Sequence, residues 1–111
     1  MDELKKIYCF DIDGTICKTS GSKYELSVPI TSRIKKINSL YDNGHTIFFL
    51  TARGMGRTDN NPQESYNVLY EFTRSQLTSW GIKYHKLFLG KPQSDIYIDD
   101  KGIHDGDFFN E

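Results

Sequence analysis

Residues 7–15, Ile7-Tyr8-Cys9-Phe10-Asp11-Ile12-Asp13-Gly14-Thr15, run from a short apolar stretch into two carboxylates and a glycine. In extended backbone, residues two apart share a face, so Asp11 and Asp13 are able to address one reacting group. Gly14 permits a sharp exit from the strand. The same pattern recurs downstream. Thr46-Ile47-Phe48-Phe49-Leu50 runs into Thr51-Ala52-Arg53, Lys86-Leu87-Phe88-Leu89 into Gly90-Lys91, and Ile96-Tyr97-Ile98 into Asp99-Asp100. If the runs at 7–10, 46–50 and 96–98 are parallel strands of one sheet, their carboxyl ends converge where open α/β sheets bind ligands.

Helical patterns separate these runs, which predicts βαβ units and an α/β fold. Ile30, Ile34, Ile37, Leu40 and Tyr41 recur at helical spacing after Pro29, with Thr31 or Ser32 available to cap and Gly44 suited to a left-handed stop. A second helix is expected from near Pro62 to Gly81, turning Leu69, Phe72, Leu77 and Trp80 toward the sheet. Between Leu89 and Asp95 the link is very short, whereas a parallel strand needs a crossover of roughly a dozen residues. The 86–89 run therefore lies apart from the 95–98 run across the sheet, or is not regular strand.

The 111 residues suit a single domain spanning 1–111. A formal net charge of −1 gives no diffuse field attractive to nucleic acid or membrane. No stretch approaches the roughly 20 apolar residues of a membrane span, and residues 1–6 lack a signal-peptide pattern, so a cytoplasmic location is expected. Cys9 and Cys17 lack metal-ligand spacing and read as reduced, structural thiols. His45, His85 and His104 read as structural or exposed. Phe108 and Phe109 are expected in the core rather than over an exposed edge or against a second subunit.

Two neighbouring carboxylates need a cation, and a hard divalent ion such as Mg²⁺, with Asp99 or Asp100 completing its shell, meets that need. Thr51 offers a hydroxyl and Lys91 a fixed positive charge for phosphoryl oxygens. Together these residues form an inventory for phosphoryl transfer through an aspartyl phosphate. Taken singly, each has a plainer explanation: Asp-x-Asp-Gly as a turn, the Asp pair as a solvated loop, Thr51 as a cap, Lys91 as surface. Their joint occurrence in this order favours the chemical reading.

On these four signatures, Asp11-Ile12-Asp13-Gly14-Thr15, Thr51, Lys91 and Asp99-Asp100, the chain resembles the haloacid dehalogenase (HAD) superfamily of phosphatases over residues 7–100. The resemblance implies a three-layer Rossmann-like fold with a mainly parallel central sheet. It implies Asp11 as nucleophile and metal ligand, and Asp13 as general acid and base with its backbone carbonyl on the metal. Thr51 and Lys91 would bind the transferring phosphoryl group, Gly14 and Thr15 would border it, and Asp99 and Asp100 would complete the Mg²⁺ site. Members similar to dehalogenases lack the second Asp, so its presence favours a phosphatase.

Neither of the usual insertion points has room for a cap domain, since residues 16–29 suffice for a small flap and Lys91 to Asp95 is nearly a direct connection. An open site goes with a macromolecular substrate or with a homo-oligomer whose neighbour covers it. Thr51-Ala52-Arg53-Gly54 and Ile98-Asp99-Asp100-Lys101 resemble the small capsule-biosynthesis phosphatases, which implies a sugar or polyol phosphate substrate. In the 53–62 loop, Arg53 and Arg57 are candidate contacts to a second anionic group of that substrate, with Gly54 and Gly56 able to bring backbone donors close. The loop also resembles that of polynucleotide 3′-phosphatases, which makes a nucleic-acid end the alternative substrate. A receiver-type signalling domain is disfavoured because Thr51 and Lys91 precede the acidic pair, and an inactive phosphate-binding module because no motif residue is missing.

Overall fold

A computed structural model describes residues 4–110. Strand β1 (Ile7–Phe10) is followed by a hairpin of β2 (Cys17–Lys18) and β3 (Val28–Pro29), with a 3₁₀ turn at Tyr24–Leu26 between them. Helix α1 (Thr31–Asp42), strand β4 (Thr46–Thr51), helix α2 (Pro62–Ser79), strand β5 (Lys86–Leu89) and a short helix α3 (Asp105–Phe109) complete the order. The sheet is β1-β4-β5, parallel throughout, with Phe10 beside Phe49 and Thr51 beside Leu89. The α/β reading with a parallel sheet therefore holds. In a parallel sheet each crossover returns the chain to the amino edge, so all three strands end at the opposite edge, and Asp11, Thr51 and Lys91 arrive there together.

Burial alternates along β4, with Ile47, Phe49 and Thr51 buried and Thr46, Phe48 and Leu50 half-buried. The core joins Phe10, Ile47, Phe49 and Leu87 of that face to Ile34 and Ile37 of α1, Leu77 of α2 and Phe109 of α3. All three helices thus cover one face. Two successive crossovers stepping in the same direction across a sheet put both helices on one side when each is right-handed. The expected three-layer arrangement is corrected accordingly: among the described residues the opposite face carries no helix, and Ile7, Cys9 and Phe88 on it are exposed.

Helix α1 starts without a side-chain cap, contrary to the expected role of Thr31 or Ser32, and Gly44 takes up the left-handed conformation just beyond its end. Helix α2 is capped by Asn61, whose side chain accepts from the Glu64 amide ahead of Pro62. Its buried face is Ser65, Leu69, Thr73 and Leu77, so the expected inward Phe72 instead lies on the flank. His45 and His85 are structural: their Nδ1 atoms accept from the Lys6 and Ile47 amides at 3.1 and 3.0 Å. Phe108 and Phe109 pack on Phe10 at 5.5 and 6.0 Å between ring centres, as expected.

The main departure is at 96–98. Strand β5 forms and pairs with β4, but Asp95-Ile96-Tyr97-Ile98 forms no strand and leaves the outer edge of β1 unpaired. Ile96 is 77% and Ile98 96% exposed. The tertiary route of the chain decides this. Lys91 N donates to Thr51 O and Gln93 N to Asn60 Oδ1, holding the connection at the carboxyl edge.

Candidate active site

Asp11 lies directly beyond β1, Thr51 ends β4, and Lys91 stands two residues past β5. The parallel register brings the three to one corner, where Lys91 Nζ sits 3.8 Å from Asp11 Oδ1. Burial pushes the Asp11 carboxyl above its ordinary range, with Lys91 pulling against that rise. A carboxylate partly stripped of water beside a cation differs from a solvated surface group, and such perturbed groups cluster at functional sites. Thr51 is buried, and its Oγ1 accepts the Arg53 amide at 3.1 Å, which leaves its own O–H available as a donor.

After β1 the chain closes tightly. Thr15 N and Ile16 N both donate to Ile12 O, Gly14 N donates to Cys17 O, and Gly14 takes φ of +84°, a conformation that strains any residue with a Cβ. Ile12 and Ile16 are drawn into the core, which turns Asp11 and Asp13 outward on either side of Ile12. Thr15 lines, with Asp11 and Lys91, an open cleft of about 920 Å³ that extends along β1 to Tyr97, Asp99 and Asp105.

Asp13 is the most constrained of the expected residues. Arg53 clamps it with a planar fork, Nε to Oδ2 and Nη2 to Oδ1 both at 2.9 Å, and Thr19 Oγ1 donates to Oδ1 at 2.6 Å. The Arg53 side chain has no exposed surface; its guanidinium lies 4.8 Å from the centre of the Tyr24 ring and donates weakly to Thr73 Oγ1 at 3.4 Å. Arg53 was expected to grip a distal substrate group, and its burial corrects that: it positions Asp13. Gly54, expected to offer an amide to an anion, instead allows close packing, because a Cβ there would meet Leu69 and Ser65 of α2. Its amide faces the Tyr24 hydroxyl at 3.3 Å.

Arg57 remains exposed, donating to Ser22 O at 2.9 Å with its guanidinium 5.3 Å from the Tyr24 ring centre. It joins the 53–62 loop to the 16–29 flap at the rim. The flap is held by the β2–β3 pair and by Gln76 Nε2 donating to Tyr24 O at 2.8 Å.

The acidic pair does not reach this corner. Asp99 and Asp100 are exposed; Asp99 accepts the Lys101 amide, which holds its carboxyl below the ordinary range, and Lys101 Nζ sits 3.4 Å from Asp100. Among the described residues no three His, Cys, Asp or Glu side chains come together closely enough to hold a metal ion. The expected Mg²⁺ shell of Asp11, Asp13, Asp99 and Asp100 is therefore not assembled by this arrangement of the chain.

Sequence reading missed Thr19, Tyr24 and the Arg33–Asp105 pair. Arg33, nearly buried in the first turn of α1, donates to Thr15 O at 2.9 Å and Asp105 Oδ2 at 2.6 Å, tying the motif loop to α3. That contact keeps the Asp105 carboxyl below its ordinary range. The partners are 72 residues apart, so no local pattern signals them.

No family model and no curated protein matches the chain. A crystal structure of a structural-genomics target from Vibrio cholerae is similar, with a TM-score of 0.85 and 25% sequence identity over 97% of this chain and 89% of that one. The likeness extends to nearly the whole α/β architecture. No helix among the described residues is long and apolar enough to cross a membrane.

Proposed function

We propose that the chain is a capless phosphomonoesterase of the HAD type, transferring a phosphoryl group to Asp11 and then to water. The observation that carries this reading is the corner formed by Asp11, Thr51 and Lys91. A carboxylate raised in pKa by burial faces a lysine 3.8 Å away, and the amide of that lysine donates to the carbonyl of Thr51 at the end of the intervening strand.

In the proposed reaction an Asp11 oxygen attacks phosphorus in line with the departing alkoxide. Lys91 and the Thr51 hydroxyl stabilise the charge on the equatorial oxygens, an electrostatic contribution of about 3–4 kcal/mol for a well-placed donor. Asp13, held by Arg53 and Thr19, gives a proton to the leaving oxygen and later takes one from the attacking water. Mg²⁺ belongs to this reading as the ion that would offset the carboxylates. Its acidic pair stands away from Asp11 in the single chain, so none of these steps is routed through it.

A sugar or polyol phosphate is the favoured substrate. The cleft is open, with Tyr8, Tyr97 and Phe108 beside Asp99, Lys101 and Asp105 beyond the phosphate corner, and Arg57 is the exposed cation on the 53–62 loop. A nucleic-acid end is less favoured because Arg53, half of the basic pair that suggested it, is spent on Asp13. The test is phosphate release across sugar phosphates, polyol phosphates, nucleotides and 3′-phosphorylated oligonucleotides, with and without a chelator. Chelator-sensitive turnover of a sugar or polyol phosphate supports the reading, and absence of release from every phosphomonoester refutes it.

A further inference from the structure

The unpaired outer edge of β1 and the unpaired run Asp95–Ile98 are complementary, yet they do not meet within one chain. Aligning Asp99 with Asp11 as parallel neighbours sets Asp95 beside Ile7, Ile96 beside Tyr8, Tyr97 beside Cys9 and Ile98 beside Phe10. In that register Ile96 and Ile98 join the covered face of the sheet, because directly paired residues of parallel strands point the same way. The two isoleucines now most exposed to water would be the two placed over the aromatic rings of Tyr8, Phe10 and Phe108.

The chain cannot make this pairing with itself. A parallel partner must begin at the amino end of β1, and a four-residue strand is roughly 13 Å long. Gln93 is held at the carboxyl edge by Asn60, and Lys91 by Thr51 and Asp11. From Gln93 to Asp95 there are two residues, reaching at most about 7 Å. The segment instead folds on itself, with the Tyr97 hydroxyl donating to Pro92 O and the Tyr97 ring 4.3 Å from Lys91 Nζ. No backbone hydrogen bond joins residues 95–98 to the rest of the described chain.

We propose that residues 95–100 are exchanged between two copies of this chain, each adding Asp95–Ile98 as a fourth parallel strand to the other's β1. The occupant of the open edge is a second copy because the matching run, its register and its connection are all supplied by this sequence. The exchange also delivers one copy's Asp99 and Asp100 to the other copy's Asp11, so each active corner is complete only in the dimer. That last consequence rests on the phosphatase reading; the strand exchange does not.

Cys9 and Tyr97 face each other in the proposed register, which makes a disulfide the direct test. The Tyr97→Cys variant, oxidised at micromolar concentration and run without reductant, is expected to give a covalent species of twice the 12.8 kDa chain mass, absent from wild type. Cys17 is buried and does not compete. An intramolecular disulfide, or a chain that stays reduced, overturns the exchange. Light scattering gives an independent readout: wild type is expected to be dimeric and the Ile96→Asp, Ile98→Asp double variant monomeric with its helical signal retained. A monomeric wild type, or a double variant that stays dimeric, contradicts the proposal. Coexpressed Asp11→Asn and Asp99→Asn chains, each inactive alone, are expected to recover activity through mixed dimers, and no recovery overturns site completion across copies. The disulfide does not depend on turnover, so an inactive wild type would refute the phosphatase reading and leave the exchange to be decided by the gel.

Discussion

Replacing Arg53 separates the positioning of Asp13 from every other part of the site. In Arg53→Ala the Asp13 carboxylate loses two charge-assisted hydrogen bonds of 2.9 Å and keeps the Thr19 contact of 2.6 Å. Breaking a buried ion pair costs about 3–5 kcal/mol. Asp13 retains 26% side-chain exposure, so water partly compensates and the low end, about 3 kcal/mol, applies. For a domain of this size that corresponds to a fall in Tm of roughly 12 °C or more. The kinetic loss has a different signature. A positioned acid–base group is worth about 10²- to 10⁴-fold, and a misplacement of about 1 Å costs on the order of 10²-fold. The loss in kcat/KM, which reports the steps up to departure of the leaving group, should fall on alkyl phosphates, whose leaving oxygen needs a proton, and spare 4-nitrophenyl phosphate, whose leaving group departs unaided; the water step is common to both. Steady-state kinetics on both substrates, with Asp13→Ala and the double variant alongside, provide the assay. Arg53→Lys, which keeps the charge without the fork, should recover stability better than alkyl-phosphate turnover. Equal losses of kcat/KM on both substrates, or effects of Arg53→Ala and Asp13→Ala that simply multiply, would refute the positioning role.

Three further outcomes follow from the same geometry. Lys91→Ala should lower kcat by about 10²- to 10³-fold, the equivalent of 3–4 kcal/mol of electrostatic stabilisation, with Lys91→Arg rescuing poorly; full activity of the Arg variant would make Lys91 peripheral. Asp105→Asn should cost about 1.5–3 kcal/mol near neutral pH, because it breaks a charged hydrogen bond to a nearly buried arginine. The folded-state pKa of Asp105 is depressed, so this stabilisation is present above the unfolded value and is lost as pH falls through the folded one. Urea melts from pH 7 into the acid range should show the two proteins converging. Asp11 has the opposite sign: its raised pKa gives a contribution fully present below the ordinary value of 3.8 and lost as pH rises through the folded value. The Tm of Asp11→Asn relative to wild type should therefore climb from acid to neutral pH, and a flat difference would show that burial does not penalise the Asp11 charge.

The contrast between Asp11 and Arg53 shows what a sequence exposes. Asp11, Thr51 and Lys91 were legible because each follows an apolar run whose strand character is local, and parallel register then fixes their meeting. Arg53 sits among glycines and polar residues that read as a solvated loop, while its burial is set by Asp13, forty residues earlier. The small buried residues of α2 have the same origin: Thr73 meets the guanidinium and Ser65 meets Gly54, so the inward stripe is less apolar than the helical pattern with Phe72 suggested. Ile96-Tyr97-Ile98 carried a strand's composition, but pairing depends on where the preceding residues are held. The hydrogen bonds of Lys91 and Gln93 are tertiary facts that no window of sequence displays.

The most direct test of the central claim is to look for the phosphoryl group on Asp11. Protein quenched in acid during turnover of its best phosphomonoester, then digested and analysed by mass spectrometry, should carry one phosphoryl mass on the peptide containing Asp11. That adduct and turnover should both disappear in Asp11→Asn while the far-ultraviolet circular dichroism stays unchanged. Turnover in the folded Asp11→Asn variant at the wild-type rate, with no adduct on Asp11 in the wild type, would contradict it.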